Sequence, residues 1–264
     1  SLRGTTTLRA GRLLVRSDIP AGGEDSPIGR STNTYGVIFG DAGTVTADRP
    51  ALIYNGTASS FSYVRGTYIY TNAYAQIGSV SNIAVTINAN FKNEGILGFC
   101  SYTLNDTFAV NCAITGTGGL AKTGPGIVNL NVANTYEGRT IVEAGTLKVN
   151  ADGAIPNGRN LVLNGGTLNL NGRTVSFGTL TLGGSATIDA AKGLVFSDSS
   201  AIAWSGKLTF ANRTKEKIYF GSSATGLTDT QVGLITIPAG CQSVRMGADG
   251  ALIFVPSATL MILR

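Results

Sequence analysis

Two stretches of the chain, Ser1-Leu-Arg-Gly-Thr-Thr-Thr-Leu-Arg-Ala-Gly-Arg-Leu-Leu-Val15 and Thr135-Tyr-Glu-Gly-Arg-Thr-Ile-Val-Glu-Ala-Gly-Thr-Leu-Lys-Val149, align without a gap. Gly4 matches Gly138, Thr6 matches Thr140, Ala10-Gly11 matches Ala144-Gly145, and Leu13 and Val15 match Leu147 and Val149. Each stretch reads as strand, turn, strand. Apolar residues alternate with polar ones, the period of a half-buried strand, and glycine stands where the chain must bend. The likeness continues from Gly29-Arg30 to Gly158-Arg159 and from Gly43-Thr44 to Gly166-Thr167, at offsets of 134, then 129, then 123 residues. Shrinking offsets imply insertions between repeated units. A stack of coils takes these as loops on one face, whereas a closed barrel tolerates them less easily.

Working outward, the same short runs recur: Gly145-Thr-Leu-Lys-Val-Asn150, Asn160-Leu-Val-Leu-Asn164, Gly166-Thr-Leu-Asn-Leu-Asn171 and Gly184-Ser-Ala-Thr-Ile-Asp189. Gly, Asn or Asp separates them, as turns with positive φ require. In a stack of coils the inward column predicts a core of Leu130, Val142, Leu147, Leu161, Leu163, Leu168, Leu170, Leu180, Leu182 and Ile188. Asn164, Asn169 and Asn171 read as turn support or as ladders between coils. A helical period is nearly absent; Leu227 to Ile235 is an exception, with Thr228 placed to cap a short helix. The composition agrees: of 264 residues 36 are glycine, 43% are hydrophobic and only 13% are charged, the reverse of a disordered chain. The fold class expected is all-β, a parallel β-helix (β-solenoid) with a small C-terminal β module. Residues 1–210 form the solenoid, with an insertion-rich stretch at about 45–110, and residues 211–264 continue or cap it.

Gly116-Thr-Gly-Gly-Leu-Ala-Lys-Thr-Gly-Pro-Gly-Ile-Val-Asn-Leu130, followed by Asn134-Thr-Tyr-Glu-Gly138 and Ala144-Gly-Thr-Leu-Lys-Val149, resembles the autotransporter-associated β-strand repeat. That repeat runs roughly G-x-G-x-L-x-K-x-G-x-G-x-x-x-L, then N-x-Y-x-G-x-T-x-V-x-A-G-T-L, and Ser1 to Val15 is similar to its second half. Ala203-Trp-Ser-Gly-Lys-Leu-Thr-Phe210, Ile218-Tyr-Phe-Gly221 and Leu227-Thr-Asp-Thr-Gln231 resemble the C-terminal module of large bacterial surface proteins with such repeats, many of which end in a PEP-CTERM tail. The resemblance implies an exported, right-handed β-helix serving as stalk, adhesin or filament component at the cell surface or outside it, and no catalytic residue set.

The chemistry-bearing residues lead the same way. There is no histidine, the commonest general base and metal ligand. Gly116 to Ala121 fits G-x-G-x-x-A but precedes a strand, where a phosphate loop needs a helix. Lys122-Thr-Gly124 equals one box of the penicillin-recognising enzymes, yet no S-x-x-K exists to supply the nucleophile. Asp189, Lys192 and Asp198 come nearest to a carbohydrate-cleaving set, without calcium-loop spacing. The reading is therefore a non-catalytic structural protein with no cofactor and no metal. The alternative is a polysaccharide-binding or polysaccharide-cleaving β-helix. A lectin version of it uses Tyr63, Tyr68, Tyr70 and Tyr74, which equally suit an alternating strand or an interface. The net charge is +5, and Arg3, Arg9, Arg12, Arg16 and Arg30 crowd the N-terminal part. They read as a solvated edge that discourages wrong pairing, or as a patch for anionic glycan, lipid head group or nucleic acid. No aromatic platform interleaves with them, so nucleic acid is not expected as a partner.

Of three cysteines, Cys100 and Cys112 are 12 residues apart; a bridge between adjacent strands and two buried thiols both fit. The apolar runs are far too short to span a membrane. The chain opens at Ser1 like a processed or excised segment, halfway through a repeat. Open coil edges propagate when they pair head to tail. The expectation is a homopolymer joined through Leu2, Thr5 and Thr7 at one end and Leu260, Met261, Ile262 and Leu263 at the other, with surface glycans as the second class of partner.

Overall fold

A computed structural model describes residues 4–19, 28, 34–43, 49–80, 82–189, 192–212 and 217–257, and it is a parallel β-solenoid. The first coil contributes β1 (Thr6–Leu8) and β2 (Arg12–Val15). Four coils of three strands follow: β3 (Val37–Phe39), β4 (Ala51–Tyr54), β5 (Ser60–Tyr63); β6 (Thr67–Ile69), β7 (Tyr74–Ser79), β8 (Ala84–Ile87); β9 (Phe91–Asn93), β10 (Ile96–Ser101), β11 (Thr107–Val110); and β12 (Ile114–Thr115), β13 (Gly119–Thr123), β14 (Ile127–Leu130). The repeat that resembles the autotransporter unit then supplies β15 (Thr140–Val142) and β16 (Thr146–Val149). Beyond it come β17 (Leu161–Leu163), β18 (Thr167–Asn169), β19 (Val175–Ser176), β20 (Leu180–Leu182), β21 (Ala186–Asp189), β22 (Leu194–Phe196), β23 (Leu208–Ala211) and β24 (Ile218–Phe220).

Strands from successive coils pair in parallel and build the walls. The first sheet is β1-β3-β6-β9-β12, the second β2-β4-β7-β10-β13-β15-β17-β20, and the third runs from β5 through β8, β11, β14, β16, β18 and β21 to β23. A smaller sheet, β19-β22-β24, takes the first wall's role further along. At the usual spacing of neighbouring strands, an eight-stranded wall is about 35 Å long. Hydrogen bonds between neighbouring coils join residues 25 positions apart at Gly126 and Ser101 but 19 at Asn150 and Asn131. The stretch at 45–110 contributes β4 to β11; β5 begins the third wall and pairs with β8, and the others are in parallel register with the coils on both sides.

The third wall shows why alternation produces this fold. Phe61, Val85, Phe108, Val128, Leu147, Leu168, Ile188 and Phe210 are register partners in one inward column, and seven of the eight are at most 1% exposed. All ten core residues expected from the sequence are fully buried. The repeated strand–turn–strand units, however, sit at different corners. Thr6–Leu8 and Arg12–Val15 join the first wall to the second, whereas Thr140–Val142 and Thr146–Val149 join the second to the third. What they share is the bend: Gly11 and Gly145 have φ of 72° and 65°. At Gly145 a side chain is excluded twice over, because a Cβ would also lie 2.4 Å from the Gly126 carbonyl oxygen.

The corners of the repeat are closed by buried polar side chains. Asn134 accepts from the Ile114 N–H at 2.8 Å and donates to the carbonyls of Val132 at 3.3 Å and Ala154 at 2.6 Å, so one amide ties three coils. Tyr136 is fully buried and its hydroxyl meets that of Thr140 at 2.7 Å. On the outside, Asn111, Asn131, Asn150 and Asn171 form a ladder of amide hydrogen bonds of 2.8 to 3.1 Å. Asn171 is thus a ladder member. Asn169 supports its turn, accepting from the Asn171 N–H at 2.8 Å. Replacing Asn134 with Ala should cost roughly 2–3 kcal/mol, because buried groups lose their partners, while Asn131→Ala on the solvated ladder should cost less than about 1. Urea midpoints of the two variants check this; equal shifts would contradict the corner role.

Lys122 lies in the inward column of the second wall, between Phe99 and Val142. It is fully buried, and its Nζ donates to the carbonyls of Thr123 (2.9 Å), Gly124 (2.7 Å) and Ala144 (3.2 Å) and to Ser101 Oγ (3.3 Å). Burial pushes this ammonium down to about 8, against the pull of Cys100 and Asp106.

The chain end departs from parallel stacking. Helix α1 (Asp229–Gly233) is short and capped by Thr228, whose hydroxyl accepts from the Gln231 N–H in a reciprocal capping box. β25 (Cys241–Met246) and β26 (Leu252–Pro256) form an antiparallel hairpin. Leu252 is buried in the core, and Phe254 meets Phe210 edge to face at 6.4 Å, so the hairpin packs on the last coil. No helix among the described residues is long and apolar enough to cross a membrane.

The Cys100–Cys112 bridge is not formed; all three cysteines are free thiols. Cys100 is on the outer face of the second wall, its neighbour Phe99 pointing inward, whereas Cys112 packs against the core from the corner after β11. Side chains on opposite sides of a wall cannot meet disulfide geometry. Burial pushes the Cys112 thiol up to about 12. Thr5 precedes β1 and Thr7 is on it, while Leu2, Leu260, Met261, Ile262 and Leu263 lie outside the described residues.

Candidate functional site

The third wall is buried inside and wet outside. The second wall differs: β4, β7, β13 and β15 are buried residue after residue. Its outer face carries a second apolar cluster, Tyr74, Ala121 and Ile141, flanked by Ile96 and Val162. The cause is side-chain size. Gly98 and Ala121 are successive partners on this face, and a Cβ on Gly98 would come within 3.2 Å of the Tyr74 ring. The ring therefore lies across the wall, and its hydroxyl donates to Glu143 Oε1 at 2.9 Å. Arg49, held in the left-handed region at φ 38°, places its guanidinium 4.3 Å from the same ring centroid and 4.0 Å from Glu143 Oε1. Burial, then the Glu143 carboxylate, drives the Tyr74 hydroxyl well above the usual phenol range, against Arg49.

This clasp separates two cavities. One, of about 340 Å³, is bounded by Tyr74, Ile96, Arg139 and Val162. The other, of about 460 Å³, lies between Arg12, Arg49, Gln76, Tyr102 and Glu143, with Cys100 and Thr123 also lining it. The Arg12 guanidinium stands 5.4 Å from the Tyr102 ring centroid. Of the residues lining this larger cavity, Glu143 is the single carboxylate among those described.

The sequence-derived candidates separate in space. Asp189 accepts from Asn169 of the neighbouring coil at 3.1 Å, and Asp198 accepts from the Ser200 N–H and hydroxyl within its own turn. Among the described residues no group of three or more His, Cys, Asp or Glu side chains is placed to hold a metal. Lys122 is spent on the corner, and the Gly116 loop leads into β13, not a helix. Of the tyrosines, Tyr63 is in the core, its hydroxyl against Thr67. Tyr68 meets Tyr70 edge to face at 5.0 Å and Tyr35 at 5.8 Å, a small aromatic platform outside the first wall with Lys92 at 5.7 Å. Tyr74 belongs to the clasp. Arg9 pairs with Asp41 at 2.5 Å and Arg12 borders the cavity, while Arg3 and Arg30 lie outside the described residues. Arg49, Gln76, Tyr102 and Glu143 were not singled out from the sequence, which offers no local motif for them, and Thr123 was read only as part of Lys122-Thr-Gly124.

The fold and this face define a β-solenoid built on corner repeats, with a recessed side wall. Residues 120–149 match the passenger-associated transport repeat. The chain therefore carries an autotransporter-type repeat, and the match falls on β13 to β16. Over 119 residues the chain is 29% identical to the adhesin BmaC autotransporter of Brucella suis biovar 1 (strain 1330), a match covering 45% of this chain and 3% of that protein. No solved structure matches the chain significantly.

Proposed function

We propose that the chain is part of an exported, non-catalytic, adhesin-like protein at the bacterial surface, with the solenoid as the stalk that holds its side walls away from the cell. The observation that carries this reading is the repeat at 120–149 together with the likeness to an autotransporter adhesin. Beads coated with the purified chain should attach to host epithelial monolayers several-fold more than beads coated with an unrelated β-solenoid; equal attachment would sink the adhesin reading. Incubation with acidic polysaccharides should yield no unsaturated products, and sustained turnover would overturn the non-catalytic part.

A narrower form has copies stacking head to tail into a filament. It draws support from the parallel stacking itself, in which the strand edges of one coil pair with those of the next. Such edges template further pairing. Light scattering should then show mass rising with concentration; monodisperse monomers at high concentration would end this form and leave the stalk.

A further inference from the structure

We infer that the larger cavity on the second wall binds a carboxylate-bearing sugar residue of a glycan. Its volume, about 460 Å³, is within the range of roughly 300–1,000 Å³ typical of ligand sites. Two guanidinium groups border it, against one carboxylate. The Arg12 guanidinium stands over the Tyr102 ring, an arrangement that leaves its N–H edges for an anion. Arg49 is 4.0 Å from Glu143, a loose pairing that a better-placed carboxylate can outcompete. The remaining polar groups call for a hydroxyl-rich partner. Gln76, 8% exposed, also lines the cavity. Thr123 is 5% exposed, and its buried hydroxyl oxygen has no hydrogen-bond partner. Buried polar groups in native proteins are nearly always satisfied, so this orphan in the cavity lining points to a missing polar partner. Tyr102, 36% exposed, offers a ring face for an apolar sugar face. Charge, hydroxyl partners and a ring together describe an acidic sugar better than a phosphate or a simple peptide.

The inference deepens the adhesin reading and rests on it for its biological setting. The test is calorimetric titration of the full chain with trigalacturonate and with sialyllactose, against neutral galactotriose and lactose. At least one acidic probe should bind and the neutral ones should not. Which acidic probe binds separates a uronate from a sialate. Arg12→Ala and Gln76→Leu should each weaken binding tenfold or more while keeping the parent's urea midpoint. Arg245→Ala, an equal charge change on the exposed face of the hairpin, should leave it unchanged. Loss of binding with equal effects from Arg12→Ala and Arg245→Ala would reduce the result to unspecific charge and overturn the site. So would absence of acidic-sugar binding, binding of neutral probes alike, or preference for a glutamate-rich peptide. Beads carrying Arg12→Ala separate the two readings: undiminished attachment removes this site and leaves the adhesin.

Discussion

Leu168→Asp is expected to break the solenoid in two. Leu168 is fully buried, with Leu147 and Ile188 as register partners in the inward column of the third wall. Losing a buried leucine costs roughly 2–5 kcal/mol, and an unpaired carboxylate in an apolar core adds several more. In a stack where each coil touches only its neighbours, the damage spreads by lost interfaces and not by global collapse. Hydrogen exchange should therefore show protection lost around β16, β18 and β21 and retained in β4 to β11. Thr167→Ser, one residue away and on the outer face, should leave protection unchanged. A Leu168→Asp protein melting like the parent would mean that the register of the third wall is wrong.

The second large effect concerns Lys122. Lys122→Ala removes the donor to three carbonyls and to Ser101 and leaves a void, a loss of about 3–5 kcal/mol. Lys122→Met refills the volume without the donors and should recover only part of it, which isolates the hydrogen bonds. The pH dependence gives an independent reading. The folded ammonium titrates at about 8, below its ordinary 10.5, so between these values the unfolded chain holds more protons. Stability contributed by this group therefore rises with pH through that window, by on the order of 3 kcal/mol in all. The Cys112 thiol acts oppositely: raised from 9 to about 12, it subtracts stability above about pH 9. Measuring parent against Lys122→Met cancels the thiol. The parent's relative stability should climb from about pH 8 to about pH 10. A flat difference would mean the ammonium is not desolvated.

Much of the fold was legible because it is local. Alternation identified the inward leucines, and Gly145 and its like marked the bends. Thr228 announced the one described helix as its cap. Legibility failed where meaning depends on the neighbouring coil. In an alternating strand a lysine reads as solvent-facing, and nothing before or after Lys122 announces that a carbonyl from the next coil, Ala144, will be among its acceptors. The cavity was hidden for the same reason. Arg12, Arg49, Gln76, Tyr102 and Glu143 come from different coils, and no spacing along the chain brings them together. The disulfide expectation counted residues between Cys100 and Cys112 without knowing that a corner intervenes. Coil length obscured the rest: β4 to β11 lack the glycine-threonine-leucine signature but occupy the same walls.

The use of one strand–turn–strand unit at two different corners bears on how such proteins lengthen and diverge. Because the arms Thr6–Leu8 and Arg12–Val15 serve different walls from Thr140–Val142 and Thr146–Val149, the inheritable module is the bend with its two arms, smaller than a full revolution. Copying it need not preserve phase around the axis, provided the flanking loops make up the difference. A gene that duplicates bends can then shift which wall carries a given surface residue without disturbing the interior, so outward-facing specificity drifts while the scaffold persists.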